Sequence, residues 1–186
     1  METVYNIAGR GLKRMAVGQI VALVSIVVLL IPVFGITGLI AMAVGGIMAI
    51  VGLWGAREAH EGYKRAFVML VAGGVLSILG TMAGDGGVGT LFDVLDSVAG
   101  MLQTYFVCTA TSALLRELGY EDEARSGDMV WKANAGCYAV LIAVSVLALF
   151  AQTLALVLTI ITGLVGVVIG IIYVVFLYKS QDLLLG

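Results

Sequence analysis

A chain of 186 residues that is 61% hydrophobic and 12% charged, with a mean hydropathy of +1.12, carries more apolar surface than a water-soluble fold can hide, because even large folded domains leave much of their surface in water. Lipid is the solvent this composition requires. The net charge of −2 and the absence of a basic run exclude an electrostatic footprint for nucleic acid.

Arg10, Lys13 and Arg14 precede an apolar run that reaches Pro32. The run is too long for the apolar region of a signal peptide and no small-residue cleavage site closes it, so it reads as a retained first span. A spanning helix needs about 20 apolar residues to cross roughly 30 Å of hydrocarbon. No charge lies between Met15 and Ala56, which leaves room for two crossings, and Pro32, Gly35 and Gly38 mark the turn between them. The predicted spans are therefore 15–33 and 36–56. A third covers 66–84 and is closed by Gly84-Asp85-Gly86-Gly87, and a fourth covers 92–115. The charge-free stretch from Ala133 to Tyr178 holds two more, 133–151 and 154–177, with the break at Gln152-Thr153. The expected fold is all-α, a single polytopic membrane domain of six transmembrane helices in three hairpins.

All ten Lys and Arg residues fall in four places: Arg10, Lys13 and Arg14; Arg57, Lys64 and Arg65; Arg116, Arg125 and Lys132; and Lys179. With six crossings those places share one side, which the positive-inside rule makes cytoplasmic. The expected location is the cell (plasma) membrane, multi-pass, with both termini inside. Gly11-Leu12-Lys13-Arg14, Gly62-Tyr63-Lys64-Arg65 and Val130-Trp131-Lys132 each open a hairpin. Either basic anchors simply recur at cytoplasmic ends, or three parallel repeats surround a pseudo-threefold axis. Trp54, Trp131 and Tyr178 sit near span ends, where amphipathic rings favour the interface.

Helices in lipid associate where small residues let backbones approach. Span two has Gly38, Gly45 and Gly52 at heptad spacing and Ala41, Gly45 and Ala49 at every fourth position. Span three has Gly73, Ser77 and Thr81; span five has Ala135, Ala139 and Ala143; span six has Thr162, Gly166 and Gly170. These seams serve either the monomer interior or an oligomer interface.

Span four is the unusual helix. Asp93, Asp96, Ser97, Gly100, Gln103, Thr104, Cys108, Thr111 and Ser112 fall on about half of its circumference. Such a face belongs against the bundle or a water-filled cavity. It is either a packing face held by Ser/Thr hydrogen bonds or a solute path, with Asp93, Asp96, Gln103, Thr104 and Thr111 as candidate pathway or binding residues. Asp93 and Asp96 lie one turn apart at its outer end, with Asp85 just before them, and an acidic mouth there would concentrate cations.

Other chemistries lack their residues. Asp93 and Asp96 are not joined by the further carboxylates and basic grip that Mg²⁺ chemistry on phosphates needs, so no metal site is expected. His60 is the only histidine, in a cytoplasmic loop with Arg57, Glu58 and Glu61, and reads as solvated; a Ser/His/Asp apparatus or bis-histidine haem site is excluded. Cys108 and Cys137 read as small apolar-environment residues, and neither a Cys-x-x-Cys pair nor a Walker-type glycine loop occurs. No enzyme activity and no cofactor are expected. The charged segment from Arg116 to Lys132 reads as a solvated helix extension or a docking surface.

The first hairpin, Leu29-Leu30-Ile31-Pro32 leading into Gly38-Leu39-Ile40-Ala41-Met42-Ala43-Val44-Gly45-Gly46-Ile47-Met48, resembles the HdeD-type family of small bacterial membrane proteins. The likeness covers about a quarter of the chain, and the later hairpins lack the matching proline. It implies a role in membrane stress or acid tolerance and brings no catalytic residues. The leading functional expectation is a small channel or permease for a cation or small solute along the polar face of span four. The alternative is a non-transporting structural, stress-related or partner-subunit protein. The expected partners are the lipid bilayer and a second copy or a membrane partner subunit.

Overall fold

The computed structural model describes residues 3–29, 35–84 and 86–186. Among these the chain forms six α-helices and no strand: α1 (Val4–Leu29), α2 (Gly35–Ala56), α3 (Glu61–Ala83), α4 (Gly87–Glu117), α5 (Glu121–Ala148) and α6 (Gln152–Leu185). Five of them, α2 to α6, are long and apolar enough to cross a membrane. The described part of α1 enters on Arg10, Lys13 and Arg14, and its apolar stretch leads on towards Pro32. The Pro32 turn and Asp85 lie outside the described residues.

The helices outrun the apolar stretches that announce them. α3 begins at Glu61 rather than Ala66 because His60 is its N-cap: the Nδ1 atom accepts a hydrogen bond from the Gly62 N–H at 3.0 Å. His60 lies in the α2–α3 connection, as expected, and is half-buried there by this capping role. α5 begins at Glu121 rather than Ala133, with Glu121, Asp122 and Glu123 in its first turn, where carboxylates favour the helix dipole. Most of the 116–132 segment is thus helix, and only residues 118–120 connect α4 to α5. That bend is a Schellman turn: Gly119 takes φ +85°, the Tyr120 N–H donates to the Leu115 carbonyl, and the Gly119 N–H donates to that of Arg116. Arg116 and Asp128 close it with a 2.7 Å ion pair. The α5–α6 break falls at residues 149–151, just ahead of the expected Gln152-Thr153.

Each helix packs on the helices before and after it in the chain, and α6 packs back on α1. One end of the bundle gathers the α2–α3 and α4–α5 connections; there the Tyr5 hydroxyl donates to Glu117 Oε2 at 3.2 Å, tying the start of α1 to the end of α4. Partial burial, and then this carboxylate, hold the Tyr5 phenol above its ordinary pKa. The main apolar cluster lies towards the same end and includes Leu12, Met15, Leu53, Tyr63, Leu115 and Leu177, all fully buried. The exterior is apolar as well: Ile36, Met82 and Phe150 are 78%, 80% and 84% exposed, while Ser25, Thr111 and Ser112 are fully buried. Water-soluble proteins avoid large contiguous apolar surfaces of this kind.

Two interfaces are built on glycine. Gly11 of α1 lies on Gly52 of α2 and Gly18 on Gly45, so that a Cβ at Gly11 would stand 2.8 Å from the Gly52 carbonyl oxygen. Ser25 and Gly38, one heptad further, are both buried. On α3 the buried small residues are Gly62, Ala66, Gly73 and Gly80, the last three at heptad spacing. Gly73 lies under Asp96 and Ala99 of α4, and Gly80 under Phe92 and Asp93. The seam expected through Gly73, Ser77 and Thr81 shares only Gly73 with this one, since Ser77 and Thr81 are exposed. In α6 Thr162 is buried, Gly166 faces Cys137 of α5, and Gly170 faces Leu23 of α1. In α5 Ala135 is half-buried, but Ala139 and Ala143 are exposed on the outside.

Candidate functional site

Helix α4 turns much of its polar half inward. Thr104, Cys108, Thr111 and Ser112 are buried, while Leu95 and Tyr105 on the other half are 41% and 37% exposed. Ala99 and Ala110 are buried too, because Gly73 and Gly62 of α3 lie against them, and Val107 is fully buried.

Gln103 and Thr104 line a cavity of about 280 Å³ enclosed by α1, α4, α5 and α6. Gln19 reaches it from α1, Asn134, Cys137 and Tyr138 from α5, and Tyr173 from α6. Thr104 donates to the Gly100 carbonyl at 3.1 Å, so its remaining capacity is to accept. Tyr138 lies across Gly100, where a Cβ would come 2.7 Å from the phenol oxygen. Tyr173 is only 6% exposed, and its hydroxyl has no hydrogen-bond partner among the described residues. Three side-chain amides, two phenols and a hydroxyl therefore line this space, and among the described residues no carboxylate, lysine, arginine or histidine joins them.

A larger cavity of about 590 Å³ lies at the end of the bundle where the α3–α4 and α5–α6 connections meet. Asp93, Thr90, Ser145 and Thr159 contribute its polar groups, and Phe150 its apolar rim. Leu141 of α5 lines both cavities. Beyond Thr104 in the other direction the interior closes on Val107, Cys108 and Leu115, all fully buried.

The five pathway candidates on α4 accordingly separate. Asp93 is exposed in the outer cavity, and Gln103 and Thr104 line the inner one. Asp96 is half-buried and lines neither; its Oδ1 lies against Gly73 of α3. Thr111 sits in the sealed part, 2.9 Å from the Tyr63 hydroxyl. Its own hydroxyl donates to the Val107 carbonyl at 2.8 Å, which makes Tyr63 the donor of the pair. Among the described residues no group of three or more His, Cys, Asp or Glu could hold a metal ion. Gln19, Asn134, Tyr138 and Tyr173 escape a reading of α4 alone. Their one sequence signal is polarity inside otherwise apolar stretches of other helices.

No protein-family model matches this chain, and neither a curated protein nor a solved structure does.

Proposed function

We propose that this chain is a multi-pass protein of a bacterial plasma membrane, three helical hairpins with both termini cytoplasmic, that admits a small solute from outside into the cavity beside Gln103. The observation that carries the reading is the Tyr173 hydroxyl, buried at that cavity without a partner. Leaving such a group unsatisfied costs about 1–3 kcal/mol, and a hydrogen-bonding occupant removes the cost. The lining narrows the class of solute. Amides and phenols offer donors and acceptors without net charge, which suits an uncharged polar molecule better than the cation that the acids of α4 suggest. Asp93 then belongs to the outer cavity and shapes what approaches it. The heptad glycines of α1–α2 and α3–α4 support a repeated hairpin, while α5–α6 packs without that pattern.

The chain carries its own reporter. Cys137 lines the inner cavity and Cys108 is buried in the apolar cluster. In a Cys108→Ala background in sealed vesicles, a small membrane-impermeant thiol reagent added outside is expected to modify Cys137. Small neutral solutes such as amides and polyols are expected to slow that reaction and to cross the vesicle wall faster than in protein-free vesicles. Labelling from the inside only would sink the proposed orientation. Absence of both protection and flux across the solute panel would sink the solute reading.

One observation favours the alternative of a non-transporting subunit. Ala139 and Ala143 present a small-residue face on the outside of α5 that a helix from a second copy or a partner would fit.

A further inference from the structure

A third hollow, of about 380 Å³, lies at the opposite end of the molecule from Asp93, between the first turns of α1 and the end of α2. Its lining brings Arg10 and Arg14, one turn apart on α1, together with Arg57, which directly follows the last residue of α2. Among the described residues Glu58 is the one carboxylate in that lining, and it stands 3.9 Å from Arg57.

Two of the guanidinium groups have defined surroundings. That of Arg57 lies over the Trp54 ring, 3.3 Å from its centroid, a cation–π contact that restricts where it can go. Trp54 is in turn braced edge-on by Phe67 of α3 at 5.0 Å. Arg14 crosses Gly55, where a Cβ would lie 4.0 Å from its Nη1, so α2 leaves room for the side chain at that point. One turn further along each helix the surface is apolar and open, with Val17 39%, Val51 46% and Trp54 50% exposed.

An anion with forked acceptor oxygens and an apolar tail fits this arrangement on both counts. Guanidinium groups match phosphate oxygens in pairs, and basic pockets between membrane helices on the cytoplasmic side take anionic headgroups. We infer that the hollow formed by Arg10, Arg14, Arg57 and Trp54 holds the phosphate of an anionic membrane lipid, with an acyl chain lying along Val17 and Val51. The inference rests on the membrane reading above and is independent of the solute reading.

The test is native mass spectrometry of the detergent-purified protein titrated with phosphatidylglycerol and, separately, phosphatidylcholine. Wild type is expected to prefer phosphatidylglycerol, and Arg14→Gln/Arg57→Gln to lower its affinity for that lipid roughly tenfold or more. Lys64→Gln/Arg65→Gln, which removes as much charge from the same end, is expected to keep the preference. Excess inorganic phosphate is expected to leave the bound lipid in place. No preference in wild type, an equal loss in the Lys64/Arg65 variant, or full displacement by phosphate would each overturn the inference, the last by assigning a soluble anion. Should the glutamine pair fail to insert, Arg14→Lys/Arg57→Lys decides. It keeps the charge and loses the forked grip, and an unchanged preference there overturns the inference too. Solute protection of Cys137 is read on the same variants. Its survival in the glutamine variant beside the lowered lipid affinity is the expected result. In wild type, protection without a lipid preference fails the lipid inference alone, and a lipid preference without protection fails the solute reading alone.

Discussion

Gly18 of α1 and Gly45 of α2 meet backbone to backbone: a Cβ on either one would stand 2.6 Å from the carbonyl oxygen of the other. Neither main chain can retreat without also parting Gly11 from Gly52, where the clearance is equally small. Gly18→Val or Gly45→Val is therefore expected to cost at least about 1–3 kcal/mol, the usual range for overpacking. Gly46→Ala, one residue away, meets nothing within 4 Å. It is expected to be neutral or to stabilise by up to about 1 kcal/mol through helix propensity. Reversible unfolding in mixed micelles measures both, and a Gly18→Val protein as stable as wild type would refute this contact.

Tyr63 donates to Thr111, whose own proton is committed to the Val107 carbonyl. The two ends of that bond are therefore unequal. Tyr63→Phe leaves Thr111 with its carbonyl bond intact, and is expected to cost about 1 kcal/mol. Thr111→Val strands a fully buried phenol, and is expected to cost about 1–3 kcal/mol. The ordering is what the same unfolding assay checks. Equal losses would mean that Thr111, not Tyr63, supplies the proton.

The helices themselves were legible because charge-free stretches of this length leave few other structures open, and six α-helices stand among the described residues. The start of α5 was legible in kind: residues 121–132 read as a solvated helix extension and they are helix, whereas the burial of Ala124, Gly127 and Val130 on one side of it was not foreseen. The seam of α2 was legible from its heptad glycines. Its counterpart on α1, Gly11, Gly18 and Ser25, was not singled out, because glycine is common in apolar helices and pairing is visible only in three dimensions. The site shows the same limit. Gln103 and Thr104 could be found by winding α4, whereas Gln19, Asn134 and Tyr173 gain meaning only once α1, α5 and α6 bring them to one cavity.

Tyr173→Phe separates stability from function. The hydroxyl has no partner to lose among the described residues, so its removal is expected to leave stability unchanged or to raise it by up to about 1 kcal/mol through the relieved desolvation of an orphan group. Solute protection of Cys137 is expected to weaken severalfold at the same time. A marked loss of stability would show that the phenol is bonded within the protein, and the occupant would then be unnecessary.

Leu141 lines both the cavity that holds Asp93 and the one that holds Gln103. Leu141→Ala enlarges both on their shared side, and it is expected to speed modification of Cys137 by external reagent and to raise solute flux. A fall in either would place the route elsewhere. Against this widened background the acids of α4 can be weighed fairly. Asp93→Asn and Asp96→Asn keep the size and shape of each side chain, including the packing of Asp96 on Gly73, and remove only the charge. An uncharged solute feels little from that change, so flux and protection are expected to stay near the unsubstituted values. Gln103→Leu removes a hydrogen-bonding amide from the inner cavity and is expected to cost a few-fold to about tenfold in protection. The reverse pattern, with flux abolished by Asp96→Asn and indifferent to Gln103→Leu, would return the acids to the centre of the mechanism and make the solute a cation.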